Sequence, residues 1–339
     1  MQFFCSLAQV SANFGPSAVT FGKFDGLHRG HRHIVDSLRV VASERSLVST
    51  VITFDRNPLS LLNPARCPES LTSNTQKAEL LEEAGVEALL QLAFDREFSS
   101  LSAAEFVAEV IVGVAHAEVV LVGPDTRFGA KGLGDFSTLI DLGQIHGFAV
   151  RQLSPLGDEL GDELGTGGDA LSADENTGGD SSAGARVSST GIRELLASGD
   201  LPTAARQLGR FPSVRSMVVH GTHRGRTMGY PTANLDPRLE GFVPADGVYA
   251  GYLVANGERM PAAISIGNNP TFDGVPERQV EAHVLNRDLD LYDLVVTVEF
   301  VERVRGMTKF ASFDELVVQM GRDTERVREV LAAVAGTRR

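Results

Sequence analysis

Thr20-Phe-Gly-Lys-Phe-Asp-Gly-Leu-His-Arg-Gly-His31 is the stretch on which the fold of the first half turns. The residues leading into it, Ala18-Val19-Thr20-Phe21, read as a buried strand that stops at Gly22. A helix-like pattern follows from about Gly30 to Ser43. Strand, glycine-rich turn and helix make the first step of a βαβ unit. In a parallel sheet such a turn is where ligands bind. Gly22, Gly26 and Gly30 let the backbone approach a ligand closely, and Asp25 lies among them. The helix start offers free N–H groups and a positive dipole end to an anion. His28 and His31 straddle Gly30 there. Two imidazoles so placed can donate to phosphate oxygens as charge develops in a transition state. A zinc pair is the weaker reading, since no third ligand is evident.

Outward from this turn the grammar repeats. Val48 to Phe54, Ala88 to Ala93, Glu118 to Val122 and Phe148 to Leu153 read as strands. Thr75 to Ala84 and Ala103 to Val112 read as helices. Alternating strands and helices predict a parallel sheet. Gly157 to Ala185 then shifts to Gly, Asp, Glu, Ser and Thr, with no lysine, arginine or aromatic. It has too little apolar surface to offset its ordering entropy and reads as a flexible acidic insertion. Helical patterns return at Gly191 to Ser198 and, after Asp200-Leu201-Pro202, to about Leu208.

After Phe211 short β-type segments appear at Ser216 to His220, Val248 to Ala255, Ala262 to Ile266, Gln279 to Leu285 and Leu294 to Val301. Gly/Pro/Asn clusters separate them, which suggests a small barrel or sandwich. A closing helix spans about Ser312 to Val334, with Phe313, Leu316, Val317 and Met320 at i, i+3, i+4 and i+7. The expected fold is α/β plus all-β. An α/β domain at 1–209 carries the 157–185 insertion, and a β domain with a terminal helix fills 210–339.

Composition narrows the class. The 339 residues carry 31 basic and 44 acidic side chains, a formal net charge of −13. That argues against a nucleic-acid-coating protein but not against small anionic ligands held by local groups. Cys5 and Cys67 cannot build a disulfide framework or a zinc knuckle. No run approaches the ~18 apolar residues of a membrane span. Met1 to Val10 lacks the basic start and long apolar stretch of a signal peptide, so a cytoplasmic protein is expected. The sequence leaves a homo-oligomer open.

A second constellation runs from Gly221 to Asn234. Gly221, Gly225 and Gly229 make a flexible loop able to wrap phosphates, although it is neither a Walker loop nor a Rossmann fingerprint. Thr232 and Asn234, two apart on an extended chain, face the same side. Both offer hard oxygen donors suited to the Mg2+ that ATP carries.

The His-x-Gly-His pattern resembles the nucleotidyltransferase superfamily, and Ser188-Ser-Thr-Gly-Ile-Arg193 resembles its second signature. The resemblance implies that Ser189, Thr190 and Arg193 clamp the β- and γ-phosphates of a nucleoside triphosphate, as hydroxyls and an arginine at a helix start can. Phe24-Asp25-Gly26 and Val122-Gly-Pro-Asp-Thr-Arg-Phe-Gly129 narrow it further. They resemble the adenylyltransferase module of the prokaryotic bifunctional riboflavin kinase/FMN adenylyltransferase (FAD synthetase) family, which implies flavin contacts at Asp125 and Phe128. Thr53-Phe-Asp-Arg-Asn-Pro58 resembles another stretch of that family, departing at Arg56 and at Asn57, where histidine is usual.

The second half resembles the riboflavin kinase of the same family. The matches are Tyr230-Pro-Thr-Ala-Asn234, Gly247-Val-Tyr-Ala250, Ile266-Gly-Asn-Asn-Pro-Thr-Phe272, Glu281-Ala-His-Val-Leu285 and Asp290-Leu-Tyr292. The resemblance implies Glu281 as the base for the ribityl hydroxyl. It also implies a flavin-covering loop at Arg303 to Phe310, with a flavin contact at Arg305 and Met307 where an acidic residue is common. The implied activity is two-step FAD synthesis. Riboflavin, FMN and ATP are the implied substrates, with Mg2+ at both sites.

Overall fold

Ser17–Phe21 is buried at every residue, as a strand covered on both faces by helices should be. A computed structural model describes it together with the rest of residues 1–154, 187–220, 230–268 and 278–336. The expected acidic insertion at 157–185 and the glycines Gly221, Gly225 and Gly229 lie outside the described residues. The chain divides into two compact units. The first is Met1–Arg66 with Leu81–Ser188, and the second is Cys67–Leu80 with Ser189–Arg339.

In the first unit six described strands form one sheet: β1 (Gln2–Phe4), β2 (Ser17–Phe21), β3 (Val48–Phe54), β4 (Ala88–Leu92), β5 (Ala117–Val122) and β6 (Ala149–Gln152). Their order is β1-β4-β3-β2-β5-β6, and the neighbouring pairs run parallel. This is the Rossmann-like α/β architecture that the alternating pattern predicts. From β2 the chain builds outward through β3 and β4, then returns to β5 on the other side of β2. The topological switch therefore lies between β2 and β5, and the crevice at their carboxyl ends is where an open α/β sheet takes ligands.

The helix after β2 is α1 (Arg29–Arg45), which buries Val35, Leu38, Val41 and Ala42 and ends where Ser46 turns left-handed at φ 56°. Further helices follow: α2 (Pro58–Leu62), α3 (Asn74–Glu83), α4 (Arg96–Ser100) and α5 (Ala103–Phe106), which widens into a π-helical stretch at Val107–Val112. α6 (Phe136–His146) starts on Asp135, whose carboxylate accepts the Thr138 N–H, and ends at left-handed Gly147. Val19, Phe21, Ile52, Leu90, Val120 and Val122 line the sheet face that packs on the π-helical stretch.

The second unit begins with α7 (Ser189–Ser198) and α8 (Leu201–Leu208). Asp200 caps α8 by accepting the Thr203 N–H, with Pro202 in the first turn, as the sequence suggests. The barrel strands are β7 (Ser213–Val219), β8 (Ala233–Leu235), β9 (Gly247–Ala255), β10 (Glu258–Gly267), β11 (Gln279–Val284) and β12 (Val295–Arg305). They close in the order β10-β11-β8-β7-β12-β9 through antiparallel pairs. Closure leaves no open sheet edge among the described barrel strands. Gly251 permits it at the β9–β12 seam, where a Cβ would collide with the Glu299 carbonyl. The terminal helix, α9 (Phe313–Gly336), lays Val327, Val330 and Leu331 on Ala250, Tyr252 and Val301.

The loop Phe242 to Asp246 ties α7 to the barrel. The Ala245 N–H donates to the Leu196 carbonyl at 3.0 Å. Arg278, just ahead of β11, holds the Asp246 carboxylate at 2.6 Å. Arg303 of β12 donates to the Asp246 carbonyl. Its Cδ lies 2.7 Å from where a Cβ would stand on Gly199, between α7 and α8.

Candidate functional site

The turn after β2 is strained and held. Phe24, Gly26 and Leu27 have φ values of 47°, 80° and 34°. Positive φ is costly for bulky residues such as Phe and Leu. Burial offsets the cost: the Phe24 and Leu27 side chains are only 2% and 3% exposed. The Gly22 N–H donates to the Ile52 carbonyl at 3.0 Å, and the Thr53 hydroxyl donates to the Lys23 carbonyl at 3.1 Å. The turn carrying Gly22 and Asp25 is thereby tied to β3.

His28 then caps α1. Its backbone is extended, and its Nδ1 accepts the His31 N–H at 3.4 Å. Nδ1 as acceptor puts the ring proton on Nε2 in the neutral imidazole. The His28 and His31 rings stack with centroids 3.8 Å apart at 18°, and Phe24 lies 5.2 Å from His31. The two histidines that the sequence pairs are therefore brought together at the first turn of a helix. Gly30 leaves room for the stack: a Cβ there would stand 3.3 Å from two His28 ring atoms.

Across the switch point, the loop after β5 carries Asp125, exposed, and Phe128, 6% exposed. Phe128 lies edge-on to Phe21 at 5.5 Å and tilted to Phe106 at 5.9 Å. The cluster continues through Phe98 to Phe54 and Phe94. Sequence reading singles out only Phe128 of this group as a site residue. The available signal was compositional, 18 phenylalanines and no tryptophan. Asn57, which departs from the family pattern, accepts the Leu59 N–H at 3.1 Å and caps α2. Asp55 accepts the Phe94 N–H at 2.8 Å and pairs with Arg56 at 3.0 Å. Burial alone would raise its carboxyl, but the Arg56 and Phe94 hydrogen bonds and the Arg56 charge outweigh it and hold the group below the usual carboxylate range.

Ser189, Thr190 and Arg193 stand in the first turns of α7, in the second unit. Ser189 and Arg193 are half-buried and Thr190 is exposed. The Arg193 Nε donates to the Glu69 carbonyl at 2.5 Å.

In the barrel, Glu281 of β11 pairs directly with Asn234 of β8. Directly paired residues share a sheet face, and Thr232 is two residues from Asn234 on the same chain. The Asn234 amide donates to the Thr232 carbonyl at 3.3 Å, which leaves its Oδ1 as the acceptor end. The Thr232 hydroxyl hydrogen-bonds the Glu281 carboxylate. Burial raises the Glu281 carboxyl above its ordinary 4.5, and the Thr232 bond only partly offsets it. Two oxygen donors and a proton-hungry carboxylate thus meet on one face. His283, two residues on, has its Nδ1 2.8 Å from the Pro231 carbonyl, fixing the chain that leads into Thr232. Arg305 ends β12 with its guanidinium paired to Asp323 at 2.8 Å. Among the described residues no group of three or more His, Cys, Asp or Glu could hold a metal ion.

Comparisons with known proteins fall on the same two parts of the chain. Residues 10–163 match the family model described as FAD synthetase, and residues 208–331 match the one described as riboflavin kinase. The bifunctional riboflavin kinase/FMN adenylyltransferase of Escherichia coli K12 is 35% identical over 92% of this chain and 91% of its own. The protein of the same description from Pseudomonas fluorescens is 34% identical, covering 99% of each. A solved structure described as a macrolide-efflux protein from Streptococcus pneumoniae superposes with a TM-score of 0.78 at 31% identity, over 96% of this chain and 98% of its own. Among the described residues no helix is long and apolar enough to cross a membrane.

Proposed function

The chain belongs to the bifunctional riboflavin kinase/FMN adenylyltransferase family, and from that membership we propose which residues run each of its two reactions. It phosphorylates riboflavin to FMN with ATP, then adenylylates FMN with a second ATP to give FAD and pyrophosphate.

The first reaction is assigned to the barrel. Glu281 takes the proton of the ribityl 5′-hydroxyl as that oxygen attacks the γ-phosphorus, and ADP leaves. The Thr232 hydroxyl and the Asn234 Oδ1 would hold the Mg2+ that ATP brings, whose charge would neutralise the phosphates. Gly221, Gly225 and Gly229 wrap those phosphates in this reading, and Arg305 contacts the flavin. The observation that carries the assignment is the meeting of Thr232, Asn234 and a half-buried Glu281, whose carboxyl is raised, on one face of β8 and β11.

The second reaction is assigned to the turn after β2. An FMN phosphate oxygen attacks the α-phosphorus of ATP, and pyrophosphate leaves in line. The nucleophile is already anionic, so positioning and charge stabilisation replace a strong base. His28 donates through Nε2 and His31 stacks behind it, at a helix start that favours anions. Gly22, Asp25 and Gly30 keep the turn open to phosphate. Ser189, Thr190 and Arg193 hold the leaving pyrophosphate, whose negative charge a bound Mg2+ would neutralise. Asp125 and Phe128 form the flavin side. In this reading the functional boundary stays at 209/210, although α7 and α8 pack within the second unit. A cytoplasmic location fits a protein that consumes ATP.

The test is chromatography of flavins after incubating the purified chain with riboflavin and MgATP. FMN followed by FAD is the expected course. Recovery of riboflavin alone would refute the reading.

A further inference from the structure

Arg305 closes β12 where the chain turns into segment 306–312, and every nitrogen of its side chain is engaged. The Nε lies 3.0 Å from both Asp323 oxygens, Nη2 donates to Oδ2 at 2.8 Å, and Nη1 donates to the Gly306 carbonyl at 3.0 Å. The Phe310 ring centroid is 5.5 Å from the guanidinium carbon, within cation–π reach. Asp323 sits in the middle of α9 and is only 5% exposed. Gln319, one turn earlier, donates to its Oδ1 at 2.8 Å. An aspartate this buried is rare unless paired, and a forked pair fixes the guanidinium in plane as well as in position.

The far end of the same segment is also fixed. The Ser312 hydroxyl accepts the Glu315 N–H at 3.2 Å, and the Glu315 carboxylate accepts the Ala311 N–H at 3.1 Å. Between the two ties, Met307 lies 3.3 Å from where a Cβ would stand on Gly267. Segment 306–310 is therefore held against α9 at both ends, and its Arg305 end is fixed through the ion pair with Asp323.

We propose that Asp323 is a positioning residue for riboflavin: it orients Arg305 and seats segment 306–310 in the form that closes on the flavin. The inference rests on reading that segment as flavin-covering. Asp323 touches no substrate. Its removal frees the guanidinium to turn and loosens the segment, which weakens flavin binding and spares nucleotide binding.

Steady-state kinetics of FMN formation with Asp323→Ala, Asp323→Glu and Gln319→Leu tests it. Asp323→Ala is expected to raise the riboflavin KM about tenfold, with the ATP KM moving less than about twofold, because a misplaced positioning group is felt by the ligand it serves. Asp323→Glu should restore part of the loss, and Gln319→Leu should shift the riboflavin KM the same way by less. If Asp323→Ala does not fold, the Gln319→Leu shift decides. An unchanged riboflavin KM in the folded variants overturns the inference, as does an equal rise in both KM values. A parent chain that makes no FMN overturns the kinase reading with it.

Discussion

Glu281 and Gly30 carry the sharpest consequences at the scale of single residues. Burial raises the Glu281 carboxyl, so this proposed base is lost by protonation at a higher pH than an ordinary glutamate would show. The acid limb of kcat/KM for FMN formation should therefore fall above 4.5, and a pH–rate profile measures it. Stability carries the opposite sign. A carboxyl with a raised folded-state pKa binds more protons folded than unfolded, so its ionisation costs stability as pH rises through that window. Glu281→Gln should unfold at a higher temperature than the parent at pH 8, and the gain should vanish below the unfolded pKa near pH 4. At Gly30 the chemistry and the fold again pull apart. Alanine improves the helix by about 0.5–1 kcal/mol over glycine. Its Cβ, however, would press on the His28 ring at 3.3 Å. Gly30→Ala should thus keep or raise the melting temperature while lowering FAD formation from supplied FMN at least about tenfold, because small displacements at a reacting centre are costly.

Elements show which parts of the sequence speak plainly. β2, β3, α1 and α9 sit where buried runs and helical spacing place them, because their apolar patterns are long and regular. β1 and β8 have only three residues each, too few for any period to register. α6 carries its signals openly, Asp135 before it and Gly147 after it, but the pattern reading passes over them. The helical pattern over Ala103 to Val112 gives no hint of the π-helical stretch, since backbone widening there follows from packing on the sheet. The site divides in the same way. His28, His31, Thr232 and Asn234 stand out by residue type and spacing and Glu281 only through the family resemblance, whereas Asp323 is hidden because its partner lies 18 residues away. The turn between α7 and α8 yields its own test. Gly199 has φ 87°, and a Cβ there would stand 2.7 Å from the Arg303 side chain. Gly199→Ala combines left-handed strain, about 1–2 kcal/mol, with a displaced arginine, and urea unfolding should register a loss of at least that size. An unchanged midpoint would mean that the α7–α8 turn is not held against β12.

For the whole molecule, the two constellations sit on architectures that suit them. A parallel sheet offers a crevice at the β2/β5 switch point, and a closed barrel offers a rigid face on which three side chains keep register. The second signature complicates a simple split. Ser189, Thr190 and Arg193 are assigned to the adenylyl transfer in the proposed reading, yet α7 is packed with the barrel through Leu196 and the Phe242 to Asp246 loop. Sequence order alone cannot reveal this, because the contacts join residues tens of positions apart. In the proposed assignment one chain holds two separable reactions, divided between the histidine turn and the β8–β11 face. The most direct measurement is flavin chromatography of His28→Ala and Glu281→Ala, each supplied with MgATP and with riboflavin or FMN. His28→Ala is expected to turn riboflavin into FMN and stop, with FAD formation down about 100-fold or more. Glu281→Ala is expected to leave riboflavin unchanged yet convert supplied FMN to FAD. Equal loss of both products in either variant, with the protein folded, would contradict that division.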